Sequence, residues 1–249
     1  MANGAIIWEG ASVIDGAPIV VVATGLKASS RNAKTGNLIQ TWILRADVNP
    51  VEATHTGADE SICGACPHRG AIVDGKNVGR SCYVTVFQAP RTVWKTYAEG
   101  KYARLSAEEA AAIFAGRHVR LGAYGDPAAV PFDVWAGVLA DTARGTGYTH
   151  QWQNADPRFA QLCMASADSS EEAAQAQAMG YRTFRVGTFA EKAARGEFLC
   201  PASKEAGQKV NCAQCLACGG TDSPNKASVF IPAHGAKNKV IAFERRRES

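Results

Sequence analysis

The chain has 249 residues, 46% of them hydrophobic and 20% charged, with a net charge of +4. This length and composition fit one globular domain with a sizeable core, and they exclude a disordered or fibrous protein. The weak positive charge permits contact with nucleic acid without indicating it. We expect a single domain over residues 1–249, in which the eight cysteines serve a purpose other than stability.

The N-terminus lacks the basic region and long apolar run of a secretory signal. The apolar stretch 18–26 is too short to span a bilayer. These features predict a cytoplasmic protein with no membrane partner. In a reducing cytosol, clustered cysteines indicate metal ligands or catalytic groups before disulfides.

The first predicted elements are three strands, followed by a long segment without clear periodicity. The strands cover 6–8, 19–22 and 38–44, and the segment covers roughly 46–82. A structureless loop of that length indicates a functional role. Strand and helix patterns then alternate. Helices are predicted at 88–99, 106–116, 132–144, 171–179 and 189–195, and strands at 118–122, 146–152, 161–167, 181–186, 198–200, 228–231 and 239–243.

Local capping signals support two of these helices. Ser106 to Glu109 is a capping-box pattern, and Ser170 is predicted to cap the helix 171–179.

The basic run Arg245–Arg247 near the C-terminus is predicted to be exposed to solvent and not to bind a partner.

The alternation of strands and helices predicts an α/β fold. We expect a partial (β/α) barrel with mostly parallel strands and a cysteine-rich C-terminal loop at 200–220. In such folds, ligands bind at the carboxyl ends of the strands. Several polar residues lie at or just past predicted strand ends: Tyr124, Asp126, His150, Ser166, Asp168, Cys200 and His234.

The segment 46–82 carries a first cysteine site, formed by Cys63, Cys66 and Cys82. Three thiolates leave one coordination position open, and a metal uses an open position to bind and activate a substrate. An open iron–sulfur cluster is the favoured interpretation. A fourth ligand, from His68 or a distant side chain, would instead close a zinc site, and unliganded cysteines are the third alternative.

A second cysteine site is formed by Cys200, Cys212, Cys215 and Cys218, with the spacing C-x11-C-x2-C-x2-C. Closely spaced thiolates of this kind wrap a cuboidal 4Fe–4S cluster, whereas structural zinc usually uses two separated C-x-x-C pairs. Iron–sulfur is therefore favoured over zinc. Four thiolates close the coordination shell, which predicts a structural or electron-transfer role. Cys163 lies in an apolar run and is predicted to be a small buried hydrophobe.

Three polar residues are candidate catalytic groups, and each has a structural alternative. Asp126 precedes a proline and could begin a turn, His150 could be a hydrogen-bonded structural histidine, and Asp168 could cap the following helix. Further candidates for binding a carboxylate, a phosphate or another ligand are Arg120, Arg182, Arg185 and His234.

Several motifs in this order resemble a cysteine-rich family of phage and mobile-element proteins, the "gene product eighty-eight" type. The motifs are Arg31-Asn-Ala-Lys-Thr-Gly36, Cys63-x-x-Cys66 with Cys82-Tyr83, Tyr124-Gly-Asp-Pro127, Gly147-Tyr-Thr-His150, Ser166-Ala-Asp168, and Cys200-Pro201 with Cys212-Ala-Gln-Cys-Leu-Ala-Cys218. The resemblance covers roughly residues 27–220. It implies a location in the cytosol of a bacterial host and carries little function with it.

A more remote resemblance is to radical S-adenosylmethionine enzymes. In that family, three cysteines after the first strand of a partial barrel hold a 4Fe–4S cluster whose open iron binds the cofactor. Tyr124, Gly125 and Asp126 stand where that family contacts the cofactor's amine, with Asp126 as the carboxylate. The second cysteine site looks like an auxiliary cluster. The family's usual spacing is C-x3-C-x2-C, whereas the first cysteine site here has C-x2-C-x15-C.

Two functions are consistent with these patterns. The resemblance implies an iron–sulfur enzyme with one or two 4Fe–4S clusters, using S-adenosylmethionine, in which Asp126, His150 and Asp168 line the pocket. Its substrate would be a small molecule or nucleotide, or nucleic acid. The alternative is a non-enzymatic zinc-binding phage or mobile-element protein that acts by binding nucleic acid or a host protein.

Overall fold

The structure is a computed structural model that describes residues 3–28 and 32–248. Arg31, which begins one of the motifs above, lies outside the described residues. The strands are β1 (Gly4–Ala11), β2 (Pro18–Thr24), β3 (Ile39–Arg45), β4 (Ala71–Val73), β5 (Lys76–Val78), β6 (Ala103–Arg104), β7 (His118–Tyr124), β8 (Arg144–Thr146), β9 (Tyr148–Thr149), β10 (Met164–Ala167), β11 (Thr183–Gly187), β12 (Glu197–Leu199) and β13 (Ser228–Pro232). The helices are α1 (Pro50–Thr56), α2 (Glu60–Cys63), α3 (Ala89–Ala98), α4 (Ala107–Phe114), α5 (Phe132–Leu139), α6 (Phe159–Leu162), α7 (Ser170–Ala178), α8 (Cys212–Cys215) and α9 (Lys237–Glu248).

Two main sheets form the framework of the molecule. The first has the order β6-β1-β2-β3-β7-β8, and the second has the order β12-β13-β11-β10-β9. The pairs β1–β2 and β2–β3 are antiparallel, whereas β3–β7, β7–β8 and every pair of the second sheet are parallel. The predicted α/β class with mostly parallel strands is confirmed.

The two sheets meet at Gly147, the single residue between β8 and β9. Its backbone N–H donates to the carbonyl of Cys218 at 3.0 Å, and its own carbonyl accepts from the N–H of Met164 at 2.9 Å. The chain therefore passes directly from the first sheet into the second. The second cysteine site is hydrogen-bonded to this junction through Cys218.

Replacing Gly147 with alanine should destabilise the fold. A Cβ at this position would lie 2.8 Å from the Sγ atom of Cys163 and 3.2 Å from the Cβ atom of Leu121. We expect Gly147→Ala to lower the free energy of unfolding by about 1–3 kcal/mol, the usual cost of overpacking a core. Gly145→Ala is the control, because its Cβ would meet only the carbonyl oxygen of Val119, at 3.8 Å. Urea denaturation measures both, and equal losses would contradict this account.

The main core lies around the first sheet. Strand β2 is buried on both faces from Ile19 to Ala23, as its unbroken apolar run indicates. Helices α4 and α5 bury Phe114 and Trp135 in the same core. Cys163 is also fully buried in it, which confirms its predicted role as a small hydrophobe. A smaller apolar cluster beneath the second sheet includes Cys200 and Cys218, with Met164, Val229 and Ile231.

The segment 46–82 is not the structureless loop that was predicted. It contains helices α1 and α2 and the hairpin β4–β5. The Asn49 side chain caps α1 by accepting from the N–H groups of Val51 and Glu52. The hairpin turn is Asp74-Gly75, both with positive φ. These elements are too short to show a clear hydrophobic period, so the sequence pattern missed them.

Several other predictions were wrong or shifted. Residues 239–243 are part of α9 and not a strand, although Val240 and Ile241 are β-branched. Residues 189–195 form no helix, and the helix predicted at 132–144 ends at Leu139. Residues 161–162 belong to α6, and the strand predicted at 146–152 is limited to the short strands around Gly147.

The capping signals were accurate to within one residue. Helix α4 has the predicted capping box between Ser106 and Glu109. Helix α7 is capped by Ser169, one residue before the predicted Ser170. Within the described part of the chain, no helix combines the length and apolar character needed to cross a membrane.

Candidate metal centres and pocket

The first cysteine site is held in an ordered segment by a buried carboxylate. Asp59 is 1% exposed and accepts from Nε of Arg69 at 3.0 Å and from a terminal nitrogen of Arg80 at 2.9 Å. Arg69 also donates to the carbonyls of Gly57 and Gly64. These charge-assisted bonds connect the backbone around Gly57 and Gly64 to the segment that carries Arg80. The protein itself therefore orders the backbone that carries the cysteines.

Backbone hydrogen bonds bring the three cysteines of the first site together. The N–H of Cys66 donates to the carbonyl of Cys63 at 3.1 Å, and the N–H of Cys82 donates to the carbonyl of His68 at 3.0 Å. Burial raises the pKa of the Cys63 thiol well above its usual range, and the nearby sulfurs of Cys66 and Cys82 raise it further. All three residues are half-buried.

Burial disfavours the anionic form of these thiols, and a few nearby groups partly oppose that effect. Burial raises the pKa of Cys66 to about 12, and a backbone hydrogen bond from His68 opposes that rise. Burial likewise raises the pKa of Cys82, while the positive charges of Arg80 and Lys239 lower it. Hydrogen bonds and cations of this kind stabilise the charge of thiolates bound to a metal.

The three candidate catalytic residues are brought together beside Cys66. The charges of Asp126 and Asp168 both act on the Cys66 thiol. One oxygen of Asp126 accepts from the N–H of Ala128 at 3.0 Å, and the other accepts from the N–H of His150 at 2.8 Å. Asp126 therefore caps a turn, as its structural alternative predicted, and also fixes the position of His150. Burial raises the pKa of Asp126.

Asp168 lies between a histidine and an arginine. One of its oxygens is 3.1 Å from Nε2 of His68, and the other accepts from the guanidinium of Arg246. Burial opposes ionisation of this carboxyl, but the bond with His68 and the charges of His150 and Arg246 leave its pKa lowered. The rings of His68 and His150 are 5.2 Å apart, edge to face. Nε2 of His150 is buried and has no hydrogen-bond partner among the described residues.

Helix α9 covers this pocket from the C-terminal end of the chain. Phe243 stacks on the ring of His68 with 5.9 Å between centroids. Arg246 lies over Phe243 and donates to Oγ of Ser81 at 2.9 Å. The prediction of a solvated Arg245–Arg247 end was therefore wrong for Arg246, and also for Arg247, which lies 3.5 Å from Glu191. Ser81, Phe243 and Arg246 were not predicted as site residues, and the i, i+3 spacing of the last two was the one signal that could have found them.

Tyr124 and Gly125 contact the core beside the first cysteine site. Tyr124 is 2% exposed, and its buried hydroxyl has no hydrogen-bond partner in the described chain. Burial, followed by the nearby Cys63 thiol, raises the pKa of Tyr124 well above its usual range. Gly125 has a φ of +81°, and a Cβ there would lie 2.7 Å from the carbonyl oxygen of Ile43. The close approach of β3 therefore requires glycine at this position.

The second cysteine site is assembled from three parts of the chain. The N–H of Cys200 donates to the carbonyl of Phe230 at 2.9 Å, and the N–H of Cys212 donates to the carbonyl of Lys34 at 2.8 Å. Asn211 caps the short helix α8, which carries two of the cysteines. Burial raises the pKa of Cys218 to about 12, and the other three thiols of the site contribute to that rise.

The thiols are spaced too widely for a preformed mononuclear site. Tetrahedral zinc with Zn–S bonds of about 2.3 Å places its sulfur ligands about 3.8 Å apart. Among the described residues, one group offers at least three candidate ligand atoms within 4.8 Å of one another, and it consists of His68, His150 and Asp168. In neither cysteine site do three sulfur atoms lie within 4.8 Å of one another. A cuboidal cluster is bound at separate irons, so its thiolates stand further apart.

The other candidate ligand residues lie outside this pocket. Arg120 donates to the hydroxyl of Tyr83 at 2.7 Å, near Cys212. Nε2 of His234 is 3.1 Å from Nζ of Lys34. Arg120 and His234 therefore lie on the side of the molecule that carries the second cysteine site.

Arg182 and Arg185 contact the protein itself. Arg182 donates to backbone carbonyls, and Arg185 pairs with Glu191 and Glu197. The molecule therefore has two thiol-rich sites, and the first adjoins a cluster of two imidazoles and two carboxylates. No protein-family model, curated protein or solved structure matches this chain.

Proposed function

We propose that this chain is an iron–sulfur enzyme whose open 4Fe–4S cluster is bound by Cys63, Cys66 and Cys82. The observation that carries the proposal is that Cys63, Cys66 and Cys82 lie close enough to influence one another electrostatically, with the charges of Asp126 and Asp168 acting on Cys66. Three thiolates leave one iron open to a ligand, and the carboxylates are placed to orient that ligand. The four thiols of the second cysteine site would hold a closed, auxiliary cluster.

The preference for iron–sulfur over zinc rests on the spacing of the cysteines in the sequence. The sulfurs of each site act on one another electrostatically, and in neither site do three of them lie within the 4.8 Å expected of a preformed site for one ion. Arg80 and Lys239 at the first site, and Lys34 and Arg120 at the second, supply positive charge near the thiolates. That charge offsets the negative charge of a thiolate-bound cluster.

The strand order supports a partial barrel as the framework. Across the junction at Gly147, the parallel strands β3, β7, β8–β9, β10 and β11 follow one another in chain order. The first cysteine site, Asp126, His150 and Asp168 each follow one of these strands. The carboxyl ends of such strands share one rim, which is where barrel enzymes bind their ligands.

When bound, a cluster of this kind supplies an open iron and a transferable electron. S-adenosylmethionine is the cofactor that the sequence resemblance suggests for the open position. The chain's own contribution is to position the bound molecule. Asp126 and Asp168 offer carboxylates to an amine, and α9 limits access of water to the pocket through Phe243 and Arg246.

Metal and sulfide analysis of protein purified without oxygen tests the proposal. We expect broad absorbance at about 400 nm and about eight iron and eight sulfide atoms per chain, the content of two 4Fe–4S clusters. The paramagnetic resonance spectrum of the reduced protein should change when S-adenosylmethionine is added. Colourless protein with stoichiometric zinc would refute the iron–sulfur function and favour the zinc-binding alternative. If the protein contains iron and sulfide but its spectrum does not change when S-adenosylmethionine is added, only the assignment of that cofactor is refuted.

A further inference from the structure

A second set of metal ligands, without sulfur, lies beside the first cysteine site. His68, His150 and Asp168 each place one ligand atom within 4.8 Å of the other two. We infer that these three residues bind a divalent first-row transition-metal ion, separate from any thiolate-bound cluster. Two imidazoles and one carboxylate leave coordination positions open for a substrate or for water.

The strongest support is the unsatisfied imidazole of His150. Its Nε2 atom is buried, and no described residue offers it a hydrogen bond. A buried polar atom without a hydrogen-bond partner is unfavourable and rare, so it needs an explanation. Asp126 fixes the backbone of His150 through the N–H group, at 2.8 Å. The backbone of His150 is thus fixed and its ring packs edge to face against His68, while Nε2 remains available to a metal ion.

The His68 ring nitrogen that faces away from Asp168 has a hydrogen-bond partner, as the rings of metal-binding histidines almost always do. Its Nδ1 atom is 2.8 Å from Oγ of Ser81. A hydroxyl can donate or accept, so Ser81 suits either neutral tautomer of the ring. In the tautomer with the proton on Nε2, that N–H donates to Asp168 and Ser81 donates to Nδ1. With metal, Nδ1–H would donate to Ser81, which leaves the Nε2 lone pair for the ion.

Asp168 can bind the ion through one oxygen without losing its other partner. One oxygen faces His68 at 3.1 Å, and the other accepts from Arg246. Arg246 also donates to Ser81, so a single guanidinium orients both the carboxylate and the hydroxyl next to His68. Outer-shell contacts of this kind fix ligand direction in metal sites.

The nitrogen and oxygen donor atoms of this site prefer different metal ions from those that the thiols prefer. Imidazole and carboxylate suit zinc, iron(II) and manganese(II), whereas thiolates select iron–sulfur clusters and zinc. His68 is two residues from Cys66, and the charge of Asp168 acts on that thiol. An ion here would therefore lie next to the open iron, where both could contact one substrate. The inference concerns ion binding and does not depend on the identity of the cluster.

Manganese(II) is the probe, because it prefers nitrogen and oxygen ligands to thiolate. Full-length protein, purified without oxygen, is titrated with manganese(II), and the loss of the free-ion resonance signal reports binding. We expect one ion per chain. His150→Ala should weaken binding by about 100-fold or more, and Ser81→Ala by about 10–100-fold. His234→Ala is the matched control, because that histidine is engaged with Pro232 and Lys34 outside the pocket, and it should bind normally.

Three further measurements make the test decisive. His150→Gln keeps a polar side chain and should also lose the ion, and circular dichroism checks that each variant folds. Iron and sulfide in His150→Ala should equal those of the unaltered protein, so a failure of the ion site is separable from a failure of the cluster. Unchanged manganese affinity in folded His150→Ala, or binding that depends on Cys66 and not on His150, would overturn the inference.

Discussion

Cys66→Ser should remove about half of the iron and half of the acid-labile sulfide from protein purified without oxygen. Under the proposed function, each of the two 4Fe–4S clusters carries the same amount of iron and sulfide, and the first has only three thiol ligands, so the loss of one would release it. Cys63→Ser and Cys82→Ser should have the same effect, because each removes one of the same three ligands. The spectral response to S-adenosylmethionine should disappear in all three variants.

Cys163→Ala is the matched control for this experiment. Cys163 is fully buried in the core and belongs to neither cysteine site, so the variant should keep its full iron content even if its stability falls. Cys215→Ser should remove the other half of the iron and leave the response to S-adenosylmethionine. Full iron in Cys66→Ser, or equal loss in Cys163→Ala, would show that the first site holds no cluster.

Arg185→Ala should lower the free energy of unfolding by about 3–5 kcal/mol, because it removes one partner of a buried charge pair. The Arg185 side chain is 2% exposed and lies 2.7 Å from Glu197, whose side chain is 4% exposed. It also lies 2.7 Å from Glu191 and over the ring of Phe230. Alanine would leave the Glu197 carboxylate buried without its cation.

The matched control is Arg158→Ala. Arg158 also contacts two carboxylates and an aromatic ring, those of Asp133, Asp156 and Phe132, but its side chain is 49% exposed. Solvent screens such a pair, so this change should cost less than about 1 kcal/mol. Urea denaturation of both variants, loaded with their metals, measures the difference. Similar losses from both would mean that burial does not determine the strength of the Arg185 pairs.

Elements with strong local signals were predictable from the sequence. Strand β2 has an unbroken apolar run, and α4 has a capping box, so neighbouring residues determine both. Helix α9 was predicted as a strand because Val240 and Ile241 are β-branched. Its conformation depends on distant partners, since Phe243 stacks on His68 and Arg246 bonds Ser81 and Asp168. Intrinsic propensity is weak enough for such contacts to override it.

Residue type and spacing alone were enough to select the side chains that could carry chemistry. The strand–helix alternation placed Asp126, His150 and Asp168 at strand ends, and the structure confirms that placement because strand periodicity is a local property of the chain. The division of the cysteines into an open set of three and a closed set of four is also read from local spacing, and it stays a prediction.

Only the tertiary structure decided which of these side chains meet. His68 faces Asp168, a hundred residues away, and Ser81 and Arg246 complete the same hydrogen-bonded group. Arg185, by contrast, pairs with internal glutamates and lies outside the pocket. Side chains far apart in sequence come into contact only after the sheets and α9 have packed, and no local pattern records that packing.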